Sequence, residues 1–187
     1  MLSAINPDDA IKLLRKGIAA NPREWRLHQH LGYIYWKRGN YETAAGIYSE
    51  GAKLPGAPKW MEAMQARLLA EGGSRDTARE IYRRMGEETN DVKMKDLAER
   101  RLLQIDSFDE RDAIRIALSK FVKRTGHCAT NWKEVFTELR AIRFQRDKSL
   151  RIEVSSGAPL DPADTPYRLV AGGCDVDLDG RSRVPYK

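Results

Sequence analysis

Three alanines constrain the fold of this chain more than any other feature. Ala10, Ala44 and Ala78 stand 34 residues apart. Around them the segments DDAIKLLRKGIAANP, YETAAGIYSEGAKLPG and RDTAREIYRRMGEETN superimpose. Gly39 and Gly73 share one phase, Tyr48 and Tyr82 a second, and Gly17, Gly51 and Met85 a third. A period of this length means that one supersecondary unit is copied along the chain. Such a unit cannot bury its apolar face alone, so the copies must stack against one another.

The local signals make the unit helical. Asn6 is an N-cap and Pro7 suits the first helical position, which predicts a helix over residues 7–20. A second helix, 24–38, ends at Gly39, and a third, 41–54, is stopped by Pro55-Gly56. Helices over 59–72 and 75–87 follow, separated by Gly72-Gly73, and a sixth over 91–104 ends before Asp106-Ser107.

These residues resemble the tetratricopeptide repeat, a helix-turn-helix unit of 34 residues. The likeness covers residues 6–105 and is densest from Trp25 to Pro58, where Leu31, Gly32, Tyr35, Gly39, Tyr41, Ala44, Tyr48 and Leu54 stand in phase. It implies that Gly32 and Ala44 lie where the two helices of a hairpin cross closely. The next unit departs from the pattern, with Ala66 as its small residue and Leu69 in place of the aromatic. In repeat phase residues 6–22 match the second helix of a unit whose first helix has no room upstream. Their stripe of Ile11, Leu14 and Ile18 needs cover on more than one side. Three expectations follow: the chain is a fragment of a longer protein, a second copy covers the stripe, or a divergent end leaves it exposed.

Beyond residue 105 the pattern changes, so the expected organisation is helical repeats over 1–105 and a separate cap over 106–187. Residues 109–126 place Ile114, Ala117, Leu118, Phe121 and Val122 on one helical face. Asn131 caps WKEVFTELRAI, with Trp132, Val135, Phe136 and Leu139 expected inward. Residues 149–154 read as a short strand. Pro159, Pro162 and Pro166 forbid a helix, and 167–170 and 174–178 alternate as the strands of a β-hairpin joined by Ala171-Gly172-Gly173. The fold class expected is therefore mainly α: a tetratricopeptide α-solenoid with a small C-terminal α+β cap containing a β-hairpin.

The helix ending in Thr125-Gly126, the helix opening on Trp132 and the PLDPADTPYRL turn are similar to the tail of a family of bacterial membrane-anchored tetratricopeptide proteins. Their segment resembling residues 9–187 follows an N-terminal anchor. The DP-x-x-x-PY element, Asp161 to Tyr167, also resembles the C-terminal part of the major pseudopilins, which carry Trp-Gly where this chain has Ala163-Asp164. The resemblance implies the soluble part of a bacterial envelope protein on the periplasmic side, with the cytoplasm left open. The chain has no apolar run of the roughly 18 residues that a membrane helix needs, and Met1 is followed by neither a basic cluster nor an apolar core segment, so a secretory signal is not expected at this point.

The candidate sites are few. The resemblance implies a partner-binding groove lined by Arg26, Gln29, Tyr33, Trp36 and Lys37, and by Trp60, Ala63, Met64 and Arg67; aromatic and Arg side chains combine area with donors. DVDLDG puts Asp175, Asp177, Asp179 and Gly180 in the spacing of a calcium loop, but its twelfth position is Tyr186 rather than a bidentate Glu. His127-Cys128 is a poor nucleophile pair, since neighbouring side chains rarely meet usefully. His28 and His30 point to different helix faces. Residues 140–151 form a basic stretch around Phe144. Cys128 and Cys174 are too few for a disulfide framework, and whether they pair is open. No phosphate loop or hydrolase or metalloprotease motif occurs.

The reading that follows is a non-catalytic interaction or scaffold module for a protein or peptide partner, serving an assembly or transport complex. No enzyme activity, cofactor or metal is expected of it. Two alternatives are kept. The net charge of +6 admits a basic helical-repeat protein that binds nucleic acid, although acids interleaved with the arginines favour solvated helix faces. The Asp175 run admits a calcium-stabilised envelope module.

Overall fold

The computed structural model describes residues 6–144 and 149–185, and divides into two compact units, Met1–Glu99 and Arg100–Lys187. The protein is mainly helical, with one small antiparallel sheet. No helix among the described residues is long and apolar enough to cross a membrane.

The first unit is a run of antiparallel helices: α1 (Pro7–Ala20), α2 (Trp25–Lys37), α3 (Tyr41–Ala52), α4 (Trp60–Glu71) and α5 (Arg75–Glu88), followed by the start of α6 (Val92–Thr125). Their ends have chemical causes. The Asn6 side chain accepts a hydrogen bond from the Asp8 amide, and Pro7 opens the helix where no amide hydrogen is needed. Asn40 accepts from the Thr43 amide to start α3. Gly39 and Gly73 take positive φ between the helices of a pair, a conformation other residues adopt only with strain. Asp8 pairs with Arg38 at 2.7 Å and Arg15 donates to the Tyr35 hydroxyl at 3.0 Å, which ties α1 along α2.

The repeat phases become equivalent places in the packing. Ala44 and Ala78 are fully buried, and Tyr48 and Tyr82, Gly51 and Met85 are buried with them. Tyr82 donates its hydroxyl to the Ala63 carbonyl, so its polar tip is satisfied inside the core. Where α2 crosses α3, a methyl group on Gly32 would lie 2.7 Å from the Tyr48 ring. The two helices come this close because Gly32 has no side chain. On α1 the expected stripe of Ile11, Leu14 and Ile18 is half-buried, and the large apolar side chain most open to solvent is Leu13.

The largest departure from the sequence reading is α6. A break was expected at Asp106-Ser107, yet one helix of 34 residues runs from Val92 to Thr125. Asp and Ser are only mildly poor helix formers, and neither Gly nor Pro occurs within the span. Ser107 is wholly buried, its hydroxyl engaged with Tyr167, so tertiary contact decides the matter.

In the second unit Ile114, Ala117, Leu118 and Phe121 of α6 pack with Trp132, Val135, Leu139, Tyr167, Val176 and Leu178. WKEVFTELRAI forms a 3₁₀ turn, Trp132–Val135, running into α7 (Phe136–Arg140). Trp132, Val135 and Leu139 face inward as expected, but Phe136 does not: it is exposed beneath the Arg140 guanidinium. The tighter first turn stacks residues three apart, which aligns Trp132 with Val135 and turns the next side chain away. The strand expected over 149–154 reduces to a single antiparallel bridge, Ile152 to Pro159. Proline there lacks the amide hydrogen needed to extend a ladder.

Strands β1 (Arg168–Val170) and β2 (Asp175–Asp177) form the hairpin, with Leu169 opposite Val176. Ala171, Gly172 and Gly173 all have positive φ. Any side chain at Gly173 would strike the Ala129 carbonyl. Next to this contact Cys128 and Cys174 are joined as a disulfide, with Cα atoms 4.9 Å apart across 46 residues of chain. Closing a loop of that size removes about 4 kcal/mol of chain entropy from the unfolded state.

The glycines provide a paired test. Gly32→Ala is expected to destabilise by about 1–3 kcal/mol, because the methyl group must displace the Tyr48 ring. Gly46→Ala, in α3 with nothing within 4 Å, should stabilise by about 0.5–1 kcal/mol through helix propensity alone. Urea midpoints of the two variants should therefore move in opposite directions.

Candidate protein-binding face

The first candidate face is built from α2 and α4. Trp25, at the start of α2, meets Trp60, at the start of α4, edge to face at 6.0 Å. Trp36, near the end of α2, donates its indole hydrogen to the Glu71 carboxylate at the end of α4 at 3.3 Å. Starts meet starts and ends meet ends, so the two helices lie side by side and parallel.

Around Trp36 the side chains lock together. The Arg67 guanidinium lies 5.3 Å from the Trp36 ring and donates to Glu71 at 2.7 Å. Tyr33 packs edge-on to Trp36 at 5.7 Å and is 48% exposed. Each ring–cation contact or surface ion pair contributes under about 1 kcal/mol, so their main effect is to fix the Trp36 orientation. At the other end Trp60 also leans on Tyr48, at 6.5 Å, and Arg26 covers Trp25 at 4.7 Å while pairing with Glu24. Burial holds the Tyr48 phenol above its ordinary pKa, and the Tyr33 phenol nearby adds to the shift.

The residues anticipated for a groove thus divide. Tyr33, Trp36 and Arg67 come together, and Trp60 joins Trp25. Arg26 and Lys37 are exposed, and Gln29 is half-buried. Met64 is turned toward the α3–α4 core, and Ala63 is buried against Tyr82, so Ala63 offers no groove surface. Glu71 and Trp25 belong to the face and were not among the anticipated residues. The spacing of Glu71 four residues after Arg67 was the available signal for the first.

The remaining sequence candidates lie in the second unit. Arg115 donates to Asp175 at 2.8 Å, Arg111 to Asp177 at 3.3 Å and Arg181 to Asp179 at 2.8 Å. Although partial burial opposes it, Arg115 holds Asp175 below its ordinary pKa, and the Arg181 hydrogen bond does the same for Asp179. The alternating carboxylates of DVDLDG are therefore engaged by arginines, while Val176 and Leu178 fill the core. Among the described residues no three carboxylate, histidine or cysteine side chains are grouped to hold a metal ion. Tyr186 and part of the basic stretch, residues 145–148, lie outside the described residues. Cys128 is in a disulfide, and the His127 ring is near the Cys128 carbonyl rather than a free thiol.

One polar cluster, with Ser107 and Tyr167 buried and Glu110 half-buried, had no counterpart in the sequence reading. The Tyr167 hydroxyl lies 2.9 Å from a Glu110 carboxylate oxygen and 3.0 Å from the Ser107 hydroxyl, and the Trp132 indole donates to the Tyr167 carbonyl. When Glu110 is ionised, Tyr167 donates to it and Ser107 donates to Tyr167, which satisfies all three oxygens. Burial pushes Glu110 up to about 7 against the opposing pull of the Tyr167 hydrogen bond and the Arg151 charge, with Asp106 and Asp161 adding to the rise. Burial also raises the Tyr167 phenol.

No protein-family model, no curated protein and no solved structure matches the chain.

The Glu110 cluster sets a pH dependence. Its folded-state pKa lies above the ordinary 4.5, so folding favours the protonated carboxyl. Stability from this group is complete below pH 4.5 and is lost as the pH rises through about 7. Glu110→Gln is neutral throughout and should lack that decline. Thermal melts at successive pH values from mildly acidic to mildly alkaline should show the native protein losing stability relative to the variant, by no more than about 3 kcal/mol.

Proposed function

We propose that this chain is a non-catalytic protein-interaction module: a tetratricopeptide solenoid of about three units followed by a small α+β domain. The observation that carries the reading is the parallel pairing of α2 and α4 through Trp25–Trp60 and Trp36–Glu71. Equivalent helices of successive units lie this way in a solenoid, and the row they make presents Tyr33, Trp36, Trp60 and Arg67 together. Aromatic and Arg side chains held in fixed orientations are the groups that anchor protein partners, because little conformational freedom is lost on binding. The partner is an extended segment of another protein lying along this row.

The placement we infer is the periplasmic side of a bacterial envelope, as the soluble part of a protein serving an assembly or transport complex. The resemblance of residues 9–187 to membrane-anchored tetratricopeptide proteins supports it. So does the Cys128–Cys174 disulfide, since such bonds persist in oxidising compartments.

Panning a random peptide library on the full chain tests the face. Trp36→Ala and Tyr33→Ala should each weaken the selected peptides by about tenfold, or about 1.4 kcal/mol, with the far-ultraviolet circular dichroism unchanged. Unchanged affinity in both folded variants would overturn the assignment of this face.

A further inference from the structure

We propose that the Cys128–Cys174 disulfide is a thiol-exchange site entered at the Cys174 sulfur, and that a thiolate attacking there frees the β1–β2 turn from the loop that follows α6. The two halves of the bond have different surroundings. Cys174 is exposed and Cys128 is only half-exposed. Cys128 stands in a fixed frame. The Gly126 amide donates to the Val122 carbonyl, the Thr125 hydroxyl donates back to Phe121, and the His127 ring packs edge-on to Phe121 at 5.6 Å. Ala129, the next residue, is part of the core. Cys174 instead follows three residues of positive φ, and its amide makes only a long bond, 3.4 Å, to the Ala171 carbonyl.

Exchange depends on which sulfur a nucleophile can reach and on which thiolate departs. A thiolate RS⁻ arriving from solvent forms an RS–Sγ bond to Cys174. The Cys128–Cys174 bond breaks, and its electron pair leaves with the Cys128 sulfur, which takes a proton from water. A second thiolate then attacks the RS sulfur of the mixed disulfide and displaces Cys174, which is protonated in turn. Two thiols of the reagent become one disulfide, and the protein cystine becomes two thiols. The Cys174 end is then held without a covalent link, by the packing of Gly173 on Ala129 and the Arg115–Asp175 ion pair. The exchange does not depend on the reading of the α2–α4 face.

The experiment uses the intact oxidised chain under native conditions. Limiting reduced glutathione is added first, excess N-ethylmaleimide follows after a short interval to trap the free thiols, and the modified peptides are mapped by mass spectrometry. Glutathione is expected on Cys174 and maleimide on Cys128, in an excess of roughly ten to one over the opposite pattern. Hydrogen exchange on the fully reduced, trapped protein should rise over residues 168–178 and stay unchanged over α1 to α5. Equal adducts on the two cysteines, preference for Cys128, or reaction only after denaturation would each overturn the proposal. Unchanged exchange over residues 168–178 would overturn the release of the turn.

Discussion

The first unit depends on helices brought close together at glycines: a Cβ on Gly51 of α3 would lie 2.5 Å from Met61 of α4 and 2.8 Å from His28 of α2. α2 and α3 can cross at Gly32 and Tyr48 only because one partner contributes no side chain. That crossing buries the Tyr48 ring, and Trp60 of the following helix leans on the same ring. This contact and the approach of Gly51 to Met61 set the position of α4, and with it the Trp60 and Arg67 side chains. Two core residues without a Cβ, Gly32 and Gly51, thus help determine where an indole is presented on the surface.

Much of this was legible before any coordinates. Repeated Ala, Gly and Tyr marked the helix crossings, and α1 to α5 begin and end within two residues of the cap and stop signals. Capping and glycine stops act over a few residues, so a single chain displays them. The contacts that assemble the face were harder to read. Trp36 reaches Glu71 across 35 residues, and nothing local to either distinguishes it from an ordinary surface side chain. The same limit explains the continuous α6: Asp106-Ser107 has the composition of a stop, and burial of Ser107 against Tyr167 overrides it.

The second unit shows how little of a polar core composition reveals. Ser107 and Glu110 stand one turn apart on α6 and Tyr167 lies dozens of residues further on, yet the three form one hydrogen-bonded set under Trp132. Asp161 is equally buried, and its carboxylate accepts from the Ala163 and Thr165 amides and the Ser182 hydroxyl. The proline-rich turn is therefore held by a side chain that imitates a backbone acceptor, which alternation and turn signals do not disclose. Asp175 and Asp177 had the spacing of ion ligands and are instead matched to arginines on α6, a pairing that depends on which helix packs beneath the hairpin.

The parallel pairing of α2 and α4 limits how such a chain can change its length. α1, α3 and α5 begin at residues 7, 41 and 75, a strict period, whereas α2 and α4 begin at 25 and 60, one residue further apart. α4 is also one residue shorter than α2, 12 residues against 13, so the 34-residue spacing from α3 to α5 holds. An added residue inside either helix would turn every following side chain by about 100° and carry Trp36 or Arg67 off the shared face. Gains and losses of single residues are therefore confined to the links. Only duplication of a whole unit would lengthen the aromatic row while keeping each hairpin crossing intact.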